Sequence, residues 1–125
     1  MEIISTESAP APLGHYSQAI KHNGLVYVSG QLPIDLNSPD ADPGSIRNQT
    51  LLTLNNLEAV LRASHSQKEN VLKVTIFISD ISLWADANAI YGEFFGDHKP
   101  ARSAVPTKDL PKGFLIEIEA IAFEN

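Results

Sequence analysis

Two short stretches carry the residue types best suited to chemistry: Lys99-Pro100-Ala101-Arg102-Ser103-Ala104-Val105 and Ile116-Glu117-Ile118-Glu119-Ala120. Arg102 offers a planar guanidinium fork that grips a carboxylate through two parallel hydrogen bonds. Pro100, with its fixed φ, helps set where that side chain points. An ion pair with a nearby acid is the plainer use of the same arginine. Glu117 and Glu119 lie two residues apart in a strand-like alternation, so both carboxylates point to one face. Part-buried beside a cleft, either acid would have a raised pKa and could orient or activate a water near neutral pH. On a wet sheet face neither would do more than stay hydrated, and strand periodicity leaves the two equal. An arginine and a carboxylate on neighbouring strands would together hold a small anionic substrate and a water.

Other positions fit such a site without defining it. The Tyr16 phenol could donate to a bound oxygen or merely cap an apolar contact at the start of a strand. Gly30, at a strand end, lets backbone approach a ligand, or marks a turn or bulge. Asn88 falls at the edge of a helical stripe, where a packing amide is the plainer role. The four histidines are scattered with no metal-ligand spacing, so a metal site is not expected. No glycine-rich phosphate loop and no Gly-x-Ser-x-Gly elbow occurs, and the absence of cysteine removes thiol chemistry and disulfides.

The elements that must position these residues can be read in order. Ile3 and Ile4 form a short apolar start, and Ser5 to Gly14 is an extended lead-in rich in Pro, Ala and Ser. Asn23-Gly24 between Tyr16–His22 and Leu25–Ser29 predicts a hairpin, because both turn residues tolerate positive φ. Residues 31 to 44 read as a long polar loop. Ser45 caps a helix from Ile46 to about Ala63 with Ile46, Leu54, Leu57, Val60 and Leu61 on one stripe. Residues 71 to 79 form a β-branched strand. Ser82 is expected to cap a second helix, whose inner stripe is Leu83, Ala87, Ile90, Tyr91 and Phe94 and which ends at Gly96. Strands at about 102–105 and 115–123 close the chain. The order β-β-β-α-β-α-β-β, with both helices on one sheet face, is an α+β layered domain spanning residues 1–125.

With 125 residues and a net charge of −6, the chain has the length of one domain and no basic run for tracking phosphates, so nucleic acid is not an expected partner. Apolar runs are too short to cross a bilayer, and Met1-Glu2-Ile3-Ile4 lacks a signal-peptide pattern, so a cytoplasmic protein is expected. In the strand at 71–79, Leu72, Val74, Ile76 and Ile78 are expected to face the helices; in the last strand Ile116, Ile118, Ala120 and Ala122 match them. The opposite faces mix Glu117 and Glu119 with Leu115, Ile121 and Phe123, too apolar for water and too charged for a dry core. That mixture predicts a homo-oligomer with polar clefts between subunits.

Five motifs in register resemble the Rid (YjgF) family, the reactive-intermediate deaminases: Gly14-His15-Tyr16-Ser17-Gln18-Ala19, Val28-Ser29-Gly30-Gln31-Leu32-Pro33, Asn88-Ala89-Ile90-Tyr91-Gly92-Glu93-Phe94-Phe95, Pro100-Ala101-Arg102-Ser103-Ala104-Val105, and Leu110-Pro111-Lys112-Gly113 with Ile116-Glu117-Ile118-Glu119-Ala120. The resemblance runs from about Ser8 to Ala122; each motif alone is weak, and the ordered set is specific. It implies a chorismate-mutase-like fold, a homotrimer, and active sites in clefts between subunits. The implied activity is cofactor-independent hydrolysis of 2-enamine and 2-imino acids such as 2-aminoacrylate to 2-keto acids and ammonia. The resemblance thus implies a 2-iminobutanoate/2-iminopropanoate deaminase acting in metabolite damage control. By motif position Arg102 would bind the substrate carboxylate and Glu117 would position the water. Tyr16, Gly30, Asn88 and the backbone at Ala104 would line the pocket. His15 stands where proline is usual, and Ala104 where some members carry cysteine. The rival readings are a non-catalytic module that binds 2-keto acids and an RNA-cleaving translation inhibitor or chaperone.

Overall fold

Aliphatic residues alternate through Val71–Ile78 and Ile116–Phe123, and these become central strands of a mixed sheet in the computed structural model, which describes residues 1–125. In chain order the elements are β1 (Glu2–Ile4), β2 (Ala19–His22), β3 (Leu25–Gln31), α1 (Ile46–Ala63), β4 (Val71–Ile78), α2 (Trp84–Phe95), β5 (Ala101–Pro106) and β6 (Ile116–Phe123). Six strands form one sheet in the order β1-β2-β3-β6-β4-β5. Only β4 and β5 run parallel, with α2 as the crossover between them. Both helices cover one face, as the α+β reading expects.

That face is a dry core. Val26, Val28, Val74, Ile76, Ile78, Ile116, Ile118, Ala120 and Ala122 project into it and meet Leu54, Leu57, Val60 and Leu61 of α1. Burying one such aliphatic side chain is worth about 1.5–3 kcal/mol, so this layer dominates the stability. Ser45 caps α1 as expected, its hydroxyl accepting the Asn48 N–H at 3.2 Å. No helix is long and apolar enough to cross a membrane.

Several local expectations are corrected. Ser82 does not cap α2; Asp80 accepts the Ser82 N–H at 2.8 Å and opens a tight turn over Ile81–Leu83 that feeds the helix at Trp84. Phe95 joins the buried stripe with Ala87 and Tyr91, ahead of the half-buried Ile90 and Phe94. Strand β4 shifts register between Val71 and Lys73, which turns Val71 inward and leaves Leu72 45% exposed. A one-residue bulge reverses the alternation on which the Leu72 expectation rested. Strand β2 starts at Ala19, leaving Tyr16 in the lead-in loop.

The loop at 31–44 is anchored from beneath. Leu32 and Ile34 pack with Phe114 in a small second cluster, and the buried Asn56 of α1 donates to both Leu32 O and Ile34 O. The sheet face away from the helices carries no α-helix, and the chain reaches over it only around Glu117, from Tyr16 and Pro111. Tyr27, Phe123 and Val105 are exposed there, beside the half-buried Phe77 and Ile121. Strand β5 is exposed along its whole length, an edge strand with one unpaired rim.

Candidate active site

The arginine proposed from sequence sits on edge strand β5, in register with the buried Val74, so its side chain leaves the sheet on the helix side. It runs over α2. Its Nη1 donates to Asn88 Oδ1 at 2.8 Å, and its Cζ lies 4.8 Å from the ring centroids of both Trp84 and Tyr91. The ion-pair alternative is not what the structure shows: the salt bridges involve Lys21, Arg47 and Arg62, and Arg102 is in none of them. A cavity of about 390 Å³ beside this group extends toward Lys99 and His98. Ala104 lies two residues further along β5, on the same face, and is exposed.

Glu117 belongs to a different place. It is half-buried on β6 and lines a cleft of about 460 Å³ with Tyr16, Gly30, Leu32, Pro111 and Glu119. Burial, helped by the nearby negative charge of Glu119, pushes its carboxyl above the ordinary glutamate value. Gly30 explains how the acid fits. A Cβ at that position would overlap Glu117 Oε1 and come within 2.9 Å of Cδ, so only glycine lets the carboxylate lie against β3. The close approach that glycine permits is thus made by a side chain of the same protein. Tyr16 hangs over the cleft with its hydroxyl accepting the Leu13 N–H at 3.1 Å. Glu119 is exposed, so the fold separates two acids that strand periodicity left equal.

The sequence-derived picture of an arginine and a carboxylate on neighbouring strands requires correction. β4 lies between β5 and β6, and Glu117 is in register with Phe77 and Val105, three residues along from Arg102. Two strand spacings of ~4.8 Å and three residues at ~3.3 Å put their Cα atoms about 14 Å apart. Arg102 shares a face with Val74 and Glu117 shares the opposite face with Phe77, so the sheet itself separates the two side chains. Tyr16, Gly30 and Glu117 form one group; Asn88 and Arg102 form another.

Sequence reading missed two residues. Trp84 carries no motif signal, and Tyr91 reads from its spacing only as part of the inner stripe. With Asn88 they occupy positions i, i+4 and i+7 of α2, a spacing that lines one helix face and carries the signal. Tyr91 is only 6% exposed, and its hydroxyl has no hydrogen-bond partner. Burial pushes its pKa up to about 12 against the opposing influence of the Arg102 charge.

Comparison with known proteins agrees with this architecture. Residues 6–124 match the family model described as Endoribonuclease L-PSP. A RutC family protein of Pyrococcus horikoshii is 46% identical over 124 residues, covering 99% of this chain and 98% of that protein. The 2-iminobutanoate/2-iminopropanoate deaminase of Rattus norvegicus is 41% identical over 124 residues, covering 99% and 90%. The crystal structure of E. coli TdcF with bound serine superposes with a TM-score of 0.94 at 34% identity, covering all of both chains. With a family model spanning nearly its whole length and relatives aligned end to end, this chain belongs to the Rid (YjgF) family, that of the Endoribonuclease L-PSP model.

Proposed function

We propose that this protein hydrolyses small 2-imino acids, such as those formed from 2-aminoacrylate, to 2-keto acids and ammonia. The carrying observation is the division of the site: Arg102 on one sheet face and the half-buried Glu117 on the other, each at a cavity of its own. Two copies bring the halves together when the β5 edge of one meets the open face of the next, and a closed ring of three would repeat that contact. The exposed Tyr27, Val105 and Phe123 on the open face support such an assembly. The relative named as a 2-iminobutanoate/2-iminopropanoate deaminase supports the chemistry.

The enamine tautomerises to an imine, and the protonated imine is an electrophile at C2. Arg102 holds the substrate carboxylate through N–H donors not engaged by Asn88. Glu117 from the neighbouring copy holds a water against C2 and takes its proton as the C–O bond forms, giving a carbinolamine. Its raised pKa suits it to return that proton to nitrogen. The C–N bond then breaks as the freed carboxylate takes the hydroxyl proton, so ammonia leaves, the C=O of the keto acid forms, and Glu117 gives the proton up to solvent. Positioning accounts for most of the acceleration. Tyr16 and the Ala104 backbone complete the enclosure. An RNA-cleaving role fits poorly, because Glu117 and Glu119 in the cleft repel phosphates.

The test generates 2-aminoacrylate with a dehydratase and follows keto-acid formation against a competing imine trap. The protein should accelerate hydrolysis; Arg102→Ala and Glu117→Gln should each abolish the effect. Chains of the two variants refolded together at equal amounts should regain about a quarter of the sites, because the intact arginine and glutamate then meet at one interface in four. Unchanged imine lifetime with the unaltered protein would point instead to a keto-acid-binding module. No recovery on mixing would sink the two-copy site.

A further inference from the structure

Arg102 rests against aromatic rings where an acid would be the commoner partner. Trp84 and Tyr91 flank Asn88 along α2, and both rings lie 4.8 Å from the guanidinium carbon. The difference matters for an anion-binding group. An acid bonded to Arg102 would occupy its N–H edge, cancel its charge and compete with any incoming carboxylate. A ring attracts the cation through its π face and uses none of the N–H donors. Of the five donors a guanidinium carries, Asn88 takes one at Nη1, at 2.8 Å.

We propose that Trp84 and Tyr91 are positioning residues for Arg102, which set where the fork lies while leaving its N–H edge open to a carboxylate. The inference rests on the reading of Arg102 as carboxylate anchor. Asn88 supplies the in-plane restraint and the two rings supply the face. The Tyr91 hydroxyl has no partner, so the ring alone serves this role.

Trp84 is the single tryptophan of the chain, so its emission reports on the cation beside it. The experiment titrates full-length protein with 2-oxobutanoate and, separately, with its uncharged amide. Trp84 emission should change saturably with the carboxylate, should not respond to the amide, and should lose the response in Arg102→Ala. By calorimetry, Trp84→Leu should weaken 2-oxobutanoate binding about fivefold, the upper scale of one cation–π contact at an exposed site. Trp84→Phe and Tyr91→Phe, which keep a ring, should remain within about threefold of the unaltered protein. In turnover the loss should fall on KM, with kcat held. An unresponsive Trp84, unchanged binding in Trp84→Leu, or equal weakening of acid and amide would each overturn the proposal. If Trp84→Leu does not fold, the emission response and its loss in the exposed Arg102→Ala decide. A carboxylate-specific response without imine turnover would refute the deaminase reading and leave this one standing; no binding at all would refute both.

Discussion

Replacing Gly30 by alanine should separate activity from stability. The added Cβ would stand 2.9 Å from Glu117 Cδ and 3.1 Å from Cγ, with Oε1 nearer still, so the glutamate must swing away from β3. The cleft of about 460 Å³ in front of it gives the side chain somewhere to go. Leaving its preferred rotamer costs Glu117 about 0.5–1.5 kcal/mol. Exchanging glycine for alanine in a strand returns ~0.5–1 kcal/mol through the unfolded chain. The two nearly cancel, so urea unfolding should shift by no more than about 1 kcal/mol. Activity has no such compensation. Displacing the water-holding carboxylate by an ångström or more should cost on the order of a hundredfold in imine hydrolysis. Turnover within threefold of the unaltered protein, in a folded variant, would refute the placement of Glu117 at the reacting water. A loss of more than about 3 kcal/mol of stability would refute the claim that the clash is absorbed by one side chain.

Further outcomes follow from the same geometry. Because burial and Glu119 raise the Glu117 pKa above 4.5, the folded state holds a proton there that the unfolded state releases. That contribution to stability is complete below the unfolded value and lost as pH rises through the raised folded value. Glu117→Gln should therefore flatten the fall in melting temperature across this window, and an unchanged slope would contradict the assigned shift. Asn56→Leu removes both donors from the buried Leu32 and Ile34 carbonyls. It should destabilise the protein by about 2–4 kcal/mol and weaken ligand binding at the cleft wall formed by Leu32, as read by urea unfolding and calorimetry.

Much of this protein was decided locally and could be read from the chain. The Asn23-Gly24 hairpin needs positive φ at both residues, which the structure shows at 51° and 78°. Ser45, Gly96 and the helical stripe of α1 likewise express rules that span only a few residues. The α+β layering followed from the count and order of those elements. Motif order also brought Arg102, Glu117, Tyr16, Gly30 and Asn88 forward as a set before their positions were known.

What the chain did not disclose depends on which strands become neighbours. Inserting β4 between β5 and β6 set Arg102 and Glu117 two strands apart, the paired registers turned them to opposite faces, and pattern alone gives neither. The bulge at Val71–Lys73 turned Leu72 outward, since a register slip is a property of the strand pair. Strand pattern left Glu117 and Glu119 equal and only motif position chose between them; the physical reason, burial against β3 where Gly30 leaves room for one carboxylate, needed the fold. The aromatic support of Arg102 required α2 to pack beside β5. Residue types and spacing determined which groups were available for chemistry. Tertiary packing decided which of them meet, because contact and desolvation depend on residues distant in the chain.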